Sequence, residues 1–593
     1  MNLKEKILCD RYLIKNPYTN IIEENENEMY ERVAKTVSNG NIELYKNFLD
    51  ILKNKKFLPA GRTLTNLGNK YIKNVVSNCV VLHIKDTLKD IFDTLSDAVM
   101  LQQSGSGVGF SFSKLRPAGE PVISTFGISS GPISFLNIYN NAFGIIKGRG
   151  RHGANLAALR IDHPDILEFI KCKKKEGKIK NFNISVTITE EFMKQAMDKD
   201  NKVNWMCVFE GKEYLPRKIK RDNEFNIIKI TPIKKTAREI LLYISKYIWK
   251  NGEPGIIFID EVNNTINPLN SIEKIECCNP CGEQMLHEND ACNLGSINIS
   301  KFYNKKKKEI NYEELEKITK LATIFLDNVI DYTTFPIKKV NDTFRKNRRI
   351  GIGIMGLADL FFKMNIRYGS NESIKISENI FKNIKKSALE QSKILGKEKG
   401  NFPNFIFSNF KNETNYMRNL ATTCIAPTGT ISILANVSNG LEPYFLLAYK
   451  RKDINNLENE YIIINKHLKK MFEKNNLDYS KFENEILENG SLKNIDGIPE
   501  YIKNIYVTSL DIDPKDHIDI QSSLQTYCDN SISKTINLIE NKTINDVLDY
   551  VIYAYIKKCK GLTLYRNKSR DLQVLNKIEE SKNKSCKEGK CDL

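Results

Sequence analysis

Histidine is scarce in this chain, and the six residues present (His83, His152, His163, His287, His467, His517) are scattered without a ligand spacing. That argues against a histidine-built metal centre. No apolar run is long enough to span a bilayer. The start, MNLKEKILCDRYLIKN, lacks the apolar core of a secretory signal. A cytoplasmic protein is therefore expected, and in that compartment thiols stay reduced. Thirteen cysteines then read as unbridged, catalytic or metal-binding thiols rather than as a disulfide framework. An acidic surplus is also missing, since the formal net charge is +18. The basic residues run from end to end and form no single arm. Nucleic acid is thus not expected as a direct ligand, and the field suits phosphorylated substrates equally well. No internal repeat is present.

What remains is an ordinary globular composition, 41% hydrophobic and 27% charged in 593 residues, enough for a large core. Residues 1–56 read as helical. From Leu58 to Tyr565 strands and helices alternate, which predicts α/β architecture. Helices are expected over Asp86–Gln103, from Asp162 with Pro164 just inside, over Ile240–Trp249, Met355–Met364 and Val547–Lys558. Strands are expected at Ile256–Ile259, Arg349–Gly353, Ala421–Ile425 and Leu562–Tyr565. Beyond Arg566 the composition turns polar and charged, as in a flexible arm, and this arm carries Cys586 and Cys591.

The densest chemistry lies in Asn279-Pro280-Cys281-Gly282-Glu283. Amide, thiol and carboxylate alternate, and an extended loop would point all three the same way. Such a set could grip adjacent sugar hydroxyls, with Glu283 as base. Cys277, Cys278 and Cys281 also include a Cys-x-x-Cys, but a structural zinc needs a second pair or histidines nearby, and neither is present. In Thr428-Gly429-Thr430-Ile431-Ser432 small residues and hydroxyls meet a helix start, which favours phosphate and equally describes a plain capped helix.

NPCGEQ followed by ACNLGSINIS resembles the finger loop of ribonucleotide reductase catalytic subunits. SNCVVLHIKDTLKDIF, GSGVGFSFSKLRPAG, GANLAALRIDHPDILEFI, RRIGIGIMGLADL, IAPTGTISILA and CKGLTLYR extend the likeness, in family order, across residues 57–570. The resemblance implies a ten-stranded α/β barrel of two half-barrels around a central finger loop (57–566), a short helical N-terminal region (1–56) and a redox-active tail (567–593). It implies that Cys281 becomes a thiyl radical, that Glu283 takes the 3′-hydroxyl proton and that Asn279 holds the ribose. Cys79 and Cys292 would be the reducing pair, re-reduced by Cys586 and Cys591 and then by a thioredoxin or glutaredoxin. Substrate, a nucleoside diphosphate, would contact Thr63, Asn78, Gly107 and the run Thr428, Gly429, Thr430, Ile431 and Ser432. A dNTP or ATP effector would meet Asp86, Arg116 and Lys147, the last in the loop KGRGRHGAN. A homodimer is expected, with no membrane and no metal held by the chain itself.

Two absences refine the class. Cys79 comes early in the sequence, so the ATP-binding module that some relatives carry upstream is not expected. Relatives that receive a radical from a metal-bearing subunit use adjacent tyrosines near the last strand, whereas Leu562–Arg566 holds only Tyr565. Tyr553 and Tyr555, two apart on a helix, read as packing. The wording thus resembles the adenosylcobalamin-dependent reductases, even without an Asp-x-His-x-x-Gly signature. The alternatives are the same chemistry with a separate metal radical subunit and, more remotely, a zinc-containing nucleic-acid-binding protein.

Overall fold

The computed structural model describes residues 3–15, 22–71, 75–77, 79–123, 125–145, 153–175, 177–452 and 460–570. Its centre is built from strands β1 (Phe57–Pro59), β2 (Cys79–His83), β3 (Gly107–Ser111), β4 (Asn155–Arg160), β5 (Asn183–Ile188), β6 (Gly255–Phe258), β7 (Ala291–Asn298), β8 (Ile350–Met355), β9 (Thr535–Leu538) and β10 (Gly561–Arg566). β2, β3, β4, β5 and β6 pair in parallel, in that order. β7 and β8 are parallel, as are β9 and β10. Parallel bridges from Ile352 to Thr423 and from Ile425 to Ile532 insert the segment Thr422–Ile425 between β8 and β9. The two sets join antiparallel at β2–β7 and at β6–β10. Nine named strands plus that segment therefore close a ten-membered barrel of two five-stranded halves. β1 lies outside the ring, pairing with the far end of β7.

Burial on both faces explains why these strands read as near-continuous apolar runs. β2, β7 and β8 are buried at every position. Helices cover the outside and carry clear start signals. Thr87 caps the helix Leu88–Gln103 by accepting from Asp90 N, and Thr236 with Glu239 forms a capping box before Ala237–Asn251. The helix anticipated from Asp162 begins later, at Ile166. Asp162 is instead paired with Arg160, and an ion pair with a strand residue competes with any capping role.

Helices Leu3–Arg11, Glu26–Val37 and Ile42–Lys53 precede the barrel. Phe48 on the third of these helices and Phe57 on β1 both meet Phe325 edge-on, with centroids 5.2 and 5.5 Å apart, so that helix and β1 dock on the long helix Tyr312–Tyr332. A second, smaller core (Leu447, Leu468, Phe472, Ile486, Ile495, Ile502) belongs to the segment following the barrel's phosphate-loop candidate. Phe362 stacks on Tyr506 at 4.4 Å and fastens this core to the barrel. Among the described residues no helix is long and apolar enough to cross a membrane.

Candidate active site

The barrel encloses a hairpin. Cys277–Cys278 pairs antiparallel with Met285–Leu286, which places Asn279–Gln284 at its tip. Glycines make room for it. A Cβ at Gly109 would overlap the Cys278 carbonyl oxygen, one at Gly351 would lie 3.0 Å from Gln284 Nε2, and one at Gly107 would lie 3.3 Å from Pro280 Cγ. Asn183 on β5 donates to Pro280 O at 3.3 Å, and Ser531 N donates to Glu283 O at 3.0 Å. The tip is thus tied to both half-barrels.

The tip is a tight turn rather than an extended run. Asn279 N donates to Gln284 O, Gly282 N donates to Asn279 O, and Gly282 has φ +81°, a value glycine adopts without strain. The three functional side chains consequently do not point one way. Asn279 and Glu283 are buried against the barrel wall, while Cys281 is exposed at the tip.

Cys79 opens β2 and Cys292 lies near the start of β7. The antiparallel register places these residues directly opposite each other, a Cα spacing of roughly 4.5–5.5 Å that falls within the range a disulfide spans. Asn279 Nδ2 donates to Cys79 Sγ at 3.1 Å, and Cys79 Sγ lies 3.8 Å from Glu283 Oε1. Ser77 Oγ donates to Cys292 O at 2.5 Å, which fixes the two strand starts. Burial pushes the Cys79 and Cys292 thiols well above the ordinary cysteine range. Burial also raises the Glu283 carboxyl to about 7, opposed by hydrogen bonds from its own backbone, Asn279 and Cys79. Glu283 Oε2 and both amide atoms of Gln284 are buried without a partner. Such a cluster of unsatisfied groups marks a place where a polar ligand is missing.

Ser531 O in turn accepts from Ile425 N, and the chain continues from there into Thr428–Ser432. Thr428 holds φ +54°, Gly440 N donates to its hydroxyl at 2.7 Å, and the short helix Ile431–Ala435 follows. Ser432 Oγ donates to Asn439 Oδ1. A Cβ at Gly429 or at Gly282 would meet no atom within 4 Å, so the loop and the finger tip both face open space. Asp359 braces the segment that follows, accepting from Ser438 N, Tyr444 OH and His467 Nε2.

Several contacts here have no signature in the sequence. Tyr12 OH and Thr430 Oγ1 are 2.5 Å apart across 418 positions. Arg349, fully buried, binds Asp290 and His287 behind Cys292. Thr63 is buried and its hydroxyl is engaged with Val76 O at 3.1 Å. Gly107 is the register partner of Cys79.

The effector candidates lie elsewhere. Arg116 binds Asp86 through its backbone N–H (3.0 Å) and Nε (2.5 Å). Beside them is a cavity of about 370 Å³, lined by Lys85, Asp86, Lys114, Arg160, Asp162 and His163 among others. The basic members of that lining were not legible as a group, because they come from three separate strand ends. Asn78, Lys147, Cys586 and Cys591 lie outside the described residues.

Residues 77–417 and 411–565 match the family description "Ribonucleotide reductase, barrel domain", and residues 2–71 match "Ribonucleotide reductase, all-alpha domain". A vitamin B12-dependent ribonucleoside-diphosphate reductase of Thermoplasma acidophilum is 39% identical over 534 residues, covering 89% of this chain and 66% of that protein. This chain thus spans about two thirds of its length. A protein of the same description from Mycobacterium tuberculosis (strain CDC 1551 / Oshkosh) is 34% identical over 538 residues, covering 89% and 73%. The class Id ribonucleotide reductase alpha subunit of Actinobacillus ureae shares the fold, with TM-score 0.76 at 19% identity, covering 95% of this chain and 96% of that one. Matched from its N-terminal helices to its last strand, the chain belongs to the ribonucleotide reductase family.

Proposed function

We propose that this protein reduces ribonucleoside diphosphates to deoxyribonucleoside diphosphates by thiyl-radical chemistry, supplying DNA precursors. One arrangement carries the reading: an exposed Cys281 at the tip of a hairpin whose flanking Asn279 and Glu283 both reach Cys79, itself opposite Cys292. In this reading the Cys281 radical takes the ribose 3′-hydrogen. An S–H bond is comparable in strength to the C–H bond broken, so the transfer can reverse. Glu283, held near neutrality, accepts the 3′-hydroxyl proton. Asn279 holds the ribose. The 2′-hydroxyl leaves as water, with hydrogen and electrons from Cys79 and Cys292, which end as a disulfide. Open backbone at Gly429 supports a diphosphate on Thr428–Ser432, with Thr63, Asn78 and Gly107 along the barrel wall.

Adenosylcobalamin is the radical source this reading favours, since the Thermoplasma and Mycobacterium relatives are described as vitamin B12-dependent. The site fits in one respect: Cys281 is exposed beside open space at Gly282, whereas Cys79 and Cys292 are buried. Bound there, the cofactor would supply the radical that removes the hydrogen of Cys281, and the finger-tip backbone from Pro280 to Gly282 would face it. Cys586 and Cys591 would return electrons from a thioredoxin or glutaredoxin, in the reducing cytoplasm. A dNTP or ATP effector would sit by Asp86, Arg116 and Lys147, with Lys85, Lys114 and Arg160 suited to its phosphates.

Purified protein given adenosylcobalamin, dithiothreitol and a nucleoside diphosphate is expected to form the deoxynucleotide unaided, and Cys281→Ser to form none. Inactivity rescued by a metal-bearing subunit would move the protein to the second class, and product from Cys281→Ser would sink the radical assignment.

A further inference from the structure

Arg349 is among the largest fully buried side chains of the molecule. Its Nε donates to Asp290 Oδ2 at 2.6 Å and its Nη2 lies 2.7 Å from His287 Nδ1. Asp290 is further held by Asn347 Nδ2 and Ala291 N, and His287 Nε2 faces Asn267 Oδ1. The guanidinium is therefore locked in place. Yet its Nη1 is buried without any partner, an expensive state for a charged donor. A group that becomes anionic only transiently would account for it.

The strand register indicates which group that is. β7 and β8 pair in parallel, with Asn293 opposite Ile350. One step back along the same pairing sets Arg349 beside Cys292. The charges acting on the two site thiols differ accordingly. On Cys292, after burial, the largest is the Arg349 cation, opposed by Asp290 and Glu283. On Cys79 the charges are those of Glu283, Cys281 and Cys292, all acidic groups. Cys292 is fully buried, while Cys79 retains 6% exposure.

We propose that Arg349 is a positioning residue for electron return, holding Cys292 as the departing thiolate while an incoming thiol attacks Cys79. This rests on the reading of Cys79 and Cys292 as the reducing pair. The thiolate of a dithiol reductant attacks Cys79 Sγ. A new S–S bond forms to Cys79, the Cys79–Cys292 bond breaks, and its electron pair stays on Cys292 Sγ beside the guanidinium. The reductant's second thiol then displaces Cys79, leaving the reductant oxidised to a disulfide. Its two protons end on Cys79 and Cys292. A better-stabilised leaving thiolate departs faster.

Wild-type protein oxidised with diamide and treated with the small monothiol 2-mercaptoethanol is expected to carry the adduct on Cys79, read by peptide mass. An adduct on Cys292 would overturn the proposal without any variant. In Arg349→Gln the half-time for reduction of the Cys79–Cys292 disulfide by excess dithiothreitol should shift to roughly several-fold longer than in wild type, the effect of about one unit of leaving-thiol pKa. Arg349→Lys, which keeps the charge, should recover most of that shift. An unchanged Gln variant, or a Lys variant no better than Gln, removes the role of Arg349 and leaves the reducing pair intact. If oxidised wild type forms no Cys79–Cys292 disulfide, the reading of the pair falls, and this proposal with it.

Discussion

Glu283 is a buried carboxyl whose surroundings include a thiol and an amide but no cation. Burial therefore outweighs the opposing hydrogen bonds, and the carboxyl titrates near 7 instead of in the usual range. The sign for stability follows. The folded state holds the proton more tightly than the unfolded chain, so the contribution is fully present below pH 4.5 and is lost as pH rises through 7. Between those limits the loss is roughly 3 kcal/mol. Glu283→Gln should remove that slope, so the variant unfolds at a higher temperature than wild type above pH 7 and no longer forms product. For wild type, single-turnover rates should climb with pH through about 7 as the carboxylate forms. A variant that shows the wild-type pH slope in thermal unfolding would place the titration on another group.

At the scale of elements, the finger survives inside the barrel because particular wall positions lack side chains. Gly109, in mid-strand on β3, has Cys278 O where its Cβ would stand. Gly109→Ala must displace the hairpin or the strand, at about 1–3 kcal/mol, and should lose turnover with it. Gly282→Ala has space but an adverse φ of +81°, so its cost should stay near ~1 kcal/mol. Equal losses in thermal unfolding for the two variants would contradict this steric account. A second element-level link joins the N-terminal helices to the phosphate-loop candidate through Tyr12 and Thr430. Tyr12→Phe should raise KM for the diphosphate several-fold with little change in kcat, and cost about 1 kcal/mol. A change confined to kcat would place Tyr12 in the chemistry instead.

Much of this layer was legible in the sequence. The strand cores Ile350–Met355 and Gly561–Arg566 and the helix Leu88–Gln103 fall within a few residues of expectation, because both-face burial and helical spacing leave local patterns. The turn at Cys281 and the late start at Ile166 were not legible, since hydrogen bonds and ion pairs decided them. Tyr12, Arg349 and the small core around Phe472 depend on partners far away in the chain. No local pattern encodes such partners.

At the scale of the whole molecule, one face remains unexplained by the barrel itself. The helix Leu88–Gln103 exposes Leu88 (64%) and Phe92 (49%), and the helix Pro132–Ile145 exposes Ile138 and Ile145. The two helices are joined by Tyr139 OH donating to Ile91 O. The hairpin between them adds Ile123, Phe126 and Ile128, all largely exposed. Apolar residues gathered this way are uncommon on a monomer, and a homodimer that packs the helix pair against its copy would cover them. The same hairpin begins at Pro121, whose carbonyl accepts from Arg116 Nη1, so the effector candidate borders this face. Association and effector response should therefore fail together. Phe92→Lys with Ile138→Lys is expected to sediment as a monomer at concentrations where wild type is dimeric. It should keep basal reduction with dithiothreitol but lose any change in substrate preference on adding a deoxynucleoside triphosphate. A monomeric variant with a full effector response would separate the two sites. A variant that stays dimeric would place the interface on another surface.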